Sequence, residues 1–276
     1  MRVAILGPPG TFSHQACGLI LKGHTPIFFQ DFEEVLESVT HSECQCALTP
    51  FENSNSLGVV RSQMALAVFK SQIFVTDLFT HHIKLNLFCW GEDLSKVTEV
   101  RSIEVVFLQA QQWLMKNMPL AVQKPFPSTA AAVQSLTEIG STTLAAIGSK
   151  EAAEIPIRAE NIQTEPNVTI FCKVEKNPPD WDRIDHLLVG VDDFADSKAE
   201  LLIACAAGFN CGIASNWVVS DPVRRIGIFE MRSLGKQIDL RNFCAVVENR
   251  VPNASLLGGY ANKSITKLAH EKYCRT

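Results

Sequence analysis

The sequence has no long apolar run, no paired-cysteine spacing, no nucleotide fingerprint and no excess of positive charge. Each absence removes a class of function. A membrane span needs roughly 18 consecutive apolar residues. The N-terminal run Val3-Ala4-Ile5-Leu6 stops at Gly7, also far short of the core of a secretory signal. The formal net charge is −4, from 25 Lys plus Arg and 29 Asp plus Glu, which gives no electrostatic footprint for nucleic acid or an anionic membrane. Neither G-x-G-x-x-G nor Gly-Lys-Ser/Thr occurs. The nine cysteines are scattered without a C-x-x-C, a usage that fits free, buried thiols better than a disulfide framework or a zinc site. There are no repeats and no low-complexity tracts. The expectation is a cytoplasmic protein with no metal and no cofactor, acting on a small molecule.

What is present is an ordinary globular composition, 46% hydrophobic and 20% charged over 276 residues, enough for two domains of typical size. Residues 1–176 alternate strand-like and helix-like segments. Phe32, Val35, Leu36 and Val39 share one helical face, residues 46–50 read as a strand, and 167–176 alternate in strand fashion. "VVFLQAQQWLMKN" reads as a helix, as does "STAAAVQSLTEIG", and "TLAAIGSKEAAEI" reads as a strand followed by a helix. Such alternation predicts an α/β domain with its ligand at the strand ends. A linker is expected at Lys176-Asn177-Pro178-Pro179-Asp180. Beyond it, residues 184–262 have a βαββαβ rhythm that suits a small ferredoxin-like α+β module, and the last dozen residues read as a tail.

Three polar clusters fall where an α/β domain places its site. The first is Gly7-Pro8-Pro9-Gly10-Thr11-Phe12-Ser13, a strand breaking into a Gly-rich turn and a helix start. Its backbone N–H groups suit a small carboxylate, although an ordinary βα turn accounts for the same residues. The second is Glu52-Asn53-Ser54 at a strand end, and the third is Asn167-Val168-Thr169-Ile170-Phe171. Asn53, Ser54 and Thr169 are neutral hydrogen-bonding groups suited to orienting a substrate, and Glu52 is a candidate acid or base. Taken singly, each has a plain structural reading, since Asn and Ser are common turn formers after strands.

Together the segments resemble one family. "GPPGTFSHQA", "TPFENSNSLGVV", "PSTAAAV", "AAIGSKEAA" and "ENIQTEPNVTIF" occur in the order and spacing of the prephenate dehydratase family, and residues 184–262 resemble its ACT-type regulatory domain, down to "LLGGY". The resemblance implies a two-lobed, periplasmic-binding-protein-like α/β catalytic domain over residues 1–176, followed by the ACT-like domain. It implies a lyase acting on prephenate without a cofactor, and a homo-oligomer. Thr169, Glu52 and Asn53 would be catalytic, and Thr11, Ser13, Ser54, Ser128, Thr129 and Phe171 would bind substrate. The Gly-rich turn would then be a carboxylate cradle.

The departures from the pattern matter equally. The family's Thr-Arg-Phe is Thr169-Ile170-Phe171, and its Ser-His-Pro-Gln is Ser102-Ile103-Glu104-Val105. A guanidinium fork has no substitute in Ile. In the ACT-like part, Glu-Ser-Arg-Pro is Ala214-Ser215-Asn216-Trp217, and no Gly-Ala-Leu occurs near residues 197–202. These changes favour the family's non-aromatising branch, a prephenate decarboxylase of specialised metabolism, over a dehydratase making phenylpyruvate for phenylalanine. A third reading is a non-catalytic protein that holds a small acid.

Overall fold

The computed structural model describes residues 1–55, 57–58, 60–209, 211–220, 225–233 and 239–261. The expected C-terminal tail lies outside them. In the first lobe, β1 (Arg2–Leu6), α1 (Phe12–Ile20), β2 (Thr25–Phe29), α2 (Phe32–Thr40), β3 (Cys46–Asn53), β4 (Leu57–Gly58), α3 (Val60–Val68) and β5 (Phe74–His82) follow in order. The helices start where side chains cap them. Thr11 accepts from the His14 amide, and Asp31 accepts from Glu34 at 2.8 Å. In α2, Phe32, Val35, Leu36 and Val39 are buried against the sheet, as the 3.6-residue period requires.

The chain then builds a second lobe from β6 (Asn86–Cys89), β7 (Glu99–Ser102), α4 (Glu104–Gln109), α5 (Gln111–Asn117), β8 (Val122–Pro125), α6 (Thr129–Ile139), β9 (Leu144–Gly148) and β10 (Ile157–Ala159). Its five-stranded sheet runs β10-β6-β9-β7-β8. Two expectations are corrected here. The segment 104–117 is two helices meeting at Ala110, not one. Residues 150–154 form turns in place of the expected helix after β9. This turn lies against the first lobe: Ser149 Oγ donates to the Gly10 carbonyl at 2.7 Å. A Cβ on Gly10, at φ +85°, would meet Ala152 Cα at 2.8 Å, so only glycine admits this approach.

β11 (Val168–Glu175) returns to the first lobe and inserts between β5 and β3, antiparallel to both. The last part is β12 (His186–Asp192), α7 (Asp196–Gly208), β13 (Cys211–Ser220), β14 (Arg225–Ser233), α8 (Leu240–Arg250) and β15 (Ala254–Tyr260), in βαββαβ order. Its strands extend the first lobe's sheet into the order β13-β14-β12-β15-β5-β11-β3-β1-β2, with β4 on β3. The join is at Gly258, paired with Val75. A Cβ there would collide with the Val75 carbonyl and amide, at a φ of +152°.

Gly258→Ala is therefore expected to destabilise the protein by about 3 kcal/mol, the upper end of overpacking costs. Urea unfolding monitored by Trp fluorescence measures it, and an unchanged midpoint would contradict the close approach.

Candidate active site

The geometry starts from the pairing of β3 with β11. Thr169 is opposite Asn53 and Ile170 is opposite Glu52, but Phe171 is opposite Pro50. Phe51 is thus the extra residue of a β-bulge. Its carbonyl is taken by Gln63 Nε2 at 2.9 Å, and its ring meets Trp217 edge-on, with centroids 5.1 Å apart. Side chains alternate along a strand. Pro50, Asn53, Thr169 and Phe171 consequently point to one side, into a cavity of about 250 Å³ that Phe12, Ser13, Ile83, Ile103, Val105, Val106, Gln109 and Asn167 complete.

One hydrogen-bond network forms the polar floor. Asn53 Nδ2 donates to Thr169 Oγ1 at 2.9 Å and to Asn167 Oδ1 at 2.8 Å, while Asn53 Oδ1 accepts the Asn55 amide at 2.9 Å. Asn167 Nδ2 in turn donates to Gln109 Oε1 at 2.9 Å, which ties the floor to the second lobe. Because Thr169 Oγ1 accepts from Asn53, its own proton is available to a molecule in the cavity. Ile83, Ile103, Val105 and Val106 give the cavity apolar walls, and among the described residues its lining includes no Lys, Arg or His.

The remaining predicted site residues are placed as follows. Ser13 and Phe171 line the cavity. Ser54 Oγ donates to the Pro166 carbonyl at 3.1 Å and accepts the Val168 amide at 3.0 Å, which locks the two strand ends and uses up its hydroxyl. Thr11 caps α1, and its hydroxyl donates to the Leu6 carbonyl. Ser128 caps α6, accepting from Ala131 at 3.0 Å, with Thr129 buried beside it; neither lines the cavity. In the Gly-rich turn the Gly10 amide donates to His14 Nδ1 at 3.1 Å. Phe12 and Ser13, whose amides open α1 and have no acceptor within the helix, line the cavity at this end.

Glu52 falls on the other face of the sheet, together with Ile170, which packs on the core beneath α2 and α3. There, burial first, then the charges of Glu230, Asp185 and Glu52, push the Tyr260 phenol up. The Arg-to-Ile difference at position 170 therefore removes no cation from this cavity. Asn167 was singled out from the sequence only as part of the third polar cluster, without a role, and Gln109 and the apolar lining were not assigned at all. Gln109 carried no local signal, because only the fold brings α4 over β11. Burial also pushes the Cys172 thiol up to about 12 and Cys46 to about 11, so neither is a thiolate near neutral pH. Cys17, Cys44, Cys89, Cys205, Cys211 and Cys244 are likewise buried and free, and Cys274 lies outside the described residues.

The family model described as prephenate dehydratase matches residues 3–179. The chain belongs to the prephenate dehydratase family. It is 27% identical to a prephenate dehydratase of Lactococcus lactis subsp. cremoris over 186 residues, 66% of each chain. It is 30% identical to arogenate dehydratase 5, chloroplastic, of Arabidopsis thaliana, over 64% of this chain and 43% of the relative. The match thus spans just under two thirds of the length of the Lactococcus relative. Among solved structures, a prephenate dehydratase of Arthrobacter aurescens in complex with L-Phe superimposes with a TM-score of 0.82 at 21% identity, covering 99% of this chain and 97% of that one. The structure described as GqqA, a novel type of quorum quenching acylase, does so with 0.78 at 18%, covering 95% and 99%. At these identities the structures report the fold alone. No helix among the described residues is long and apolar enough to cross a membrane.

His81 follows Thr169 in the same row across the sheet. Burial, reinforced by His82 and opposed by Glu151, holds its pKa below the usual 6.5. A histidine depressed in the folded state binds its proton more readily once unfolded, so stability falls as pH drops below about 6.5 and levels off below the folded pKa. His81→Gln is expected to flatten this part of the pH dependence of urea unfolding. Parallel curves for variant and wild type would contradict the assignment.

Proposed function

We propose that the chain is a lyase acting on prephenate, and that it expels CO2 while keeping the C4 hydroxyl. The observation that carries this reading is the apolar lining that shares the cavity with Thr169, with no Lys, Arg or His among the described lining residues. A carboxylate pressed against Ile83, Ile103, Val105 and Val106 loses hydration that these side chains do not replace, a cost that disappears when it leaves as neutral CO2. In the reaction the C1–carboxylate bond breaks and its electron pair enters the ring diene. A proton from solvent water, relayed through the Thr169 hydroxyl to a ring carbon, completes the balance with the C4 oxygen in place. The amides of Phe12 and Ser13, at the positive end of α1, would hold the side-chain carboxylate.

One observation favours a second reading, dehydration to phenylpyruvate. Asn53 orients Thr169 with its proton free toward the cavity, which also suits protonation of a leaving C4 hydroxyl, and the named relatives include prephenate dehydratases. There the pair from the C1–carboxylate bond would complete the aromatic ring as the C4–O bond breaks, and the C4 oxygen would leave with that bond's pair and the Thr169 proton as water. The product decides. Mass spectrometry after incubation with prephenate is expected to give a compound that has lost CO2 only; loss of both CO2 and water would replace the first reading with the second.

The cavity makes separate demands on neighbouring residues. Asn53→Ala is expected to lower kcat/KM about tenfold to a thousandfold, the usual cost of one preorganised donor. Glu52→Gln, on the far face, should stay near wild type. Steady-state kinetics with prephenate measure both, and a rate collapse in Glu52→Gln alone would place the chemistry on the other side of the sheet.

The same reading covers residues 184–262 as an ACT-type domain that does not take phenylalanine. Lys198 Nζ donates to the Asp192 carbonyl at 2.7 Å, tying the first turn of α7 to the end of β12, and Trp217 is committed to Phe51. Millimolar phenylalanine should therefore leave activity unchanged, with no heat in calorimetry. Saturable inhibition would contradict this.

A further inference from the structure

Beside the cavity, a chain of three side chains crosses from one lobe to the other. His81 on β5 is the cross-strand neighbour of Thr169, on the side away from Asn53. Its Nε2 lies 3.1 Å from Gln15 Oε1 on α1, and Gln15 Nε2 donates to Glu151 Oε2 at 2.5 Å. Glu151 belongs to the second-lobe turn that meets Gly10 through Ser149 and Ala152.

The direction of every bond in this chain follows from chemistry. An ionised carboxylate only accepts, so Gln15 turns its NH2 to Glu151 and its carbonyl to His81. A carbonyl also only accepts, so the His81 proton sits on Nε2 and Nδ1 keeps its lone pair. The ring so held stands edge-on to Phe171, with centroids 6.1 Å apart and planes at 68°. Phe171 is itself a wall of the cavity.

We propose that His81 is a positioning residue, locked as the Nε2–H tautomer by Gln15 only while Glu151 of the second lobe is docked, so that apposition of the lobes fixes Phe171 and Thr169 for reaction. The proposal rests on reading the cavity as the prephenate site. A neutral ring is what burial favours at this position. When Glu151 withdraws, the Gln15 amide is free to reverse, and it then offers His81 a donor where it had offered an acceptor. The ring must change tautomer or turn, and the wall it supports shifts with it.

Two measurements on the full chain test this. In protein carrying 15N-labelled histidine, the wild-type His81 ring is expected to report a single Nε2–H tautomer, and Glu151→Ala and Gln15→Leu are expected to give mixtures. Glu151 lines no part of the cavity, yet Glu151→Ala should lower kcat for prephenate about tenfold to a hundredfold, the scale of a small misplacement of reacting groups, with KM little changed. A tautomer mixture in the wild type, a single unchanged tautomer in Glu151→Ala, or a wild-type kcat in that variant would each overturn the proposal. If wild-type protein converts no prephenate, the reaction reading fails, and the tautomer measurement alone decides the linkage.

Discussion

The Asn53–Thr169 hydrogen bond is the constraint on which the rest of the site depends. It joins two antiparallel strands through residues 116 positions apart in the chain, and it exists only because the register of β3 on β11 places the two residues directly opposite. One residue of slip would turn both side chains to the other face. Several features hold that register. Ser54 bonds both ways to the start of β11, and the bulged Phe51 is held by Gln63 from α3 and by Trp217 from β13. The βαββαβ part therefore contributes to the site from outside it, through the ring that supports the bulge.

The same bulge separates polar chemistry from core. On the cavity side are amides and a hydroxyl, neutral groups whose donors and acceptors are paired with one another. On the far side are Glu52, Tyr260, Glu230 and His186, buried ionisable groups in a packed layer. A charged substrate in this cavity would meet oriented dipoles and apolar carbon, with no counter-ion among the described lining residues. That combination suits a reaction in which a charge is lost, and it makes the route of the released electron pair a matter of where Thr169 delivers its proton.

The alternation of strands and helices, the helix start after the Gly-rich turn and the βαββαβ order were legible because each rests on local pattern. The 3.6-residue spacing from Phe32 to Val39 announces a buried face. "SKEAAEI" was not legible as turns, because its helical composition gives way to the contact with Gly10, which has no local signature. At the site, Asn53 and Thr169 could be picked out as polar residues at strand ends, whereas the face occupied by Glu52 could not. That face depends on the extra residue at Phe51, and a bulge is a property of the pairing, not of either strand. Gln109, His81 and Ile170 were hidden for the same reason: their roles are set by which strand or helix lies across from them.

The most direct test of this account is a double-mutant cycle on Asn53→Ala and Thr169→Val, read as kcat/KM for prephenate. If the two side chains act as one hydrogen-bonded unit, each single variant should lose nearly as much as the double, with a coupling energy of at least about 1 kcal/mol. Losses that add, with no coupling, would mean that the two residues act independently and that their hydrogen bond is not the centre of the site.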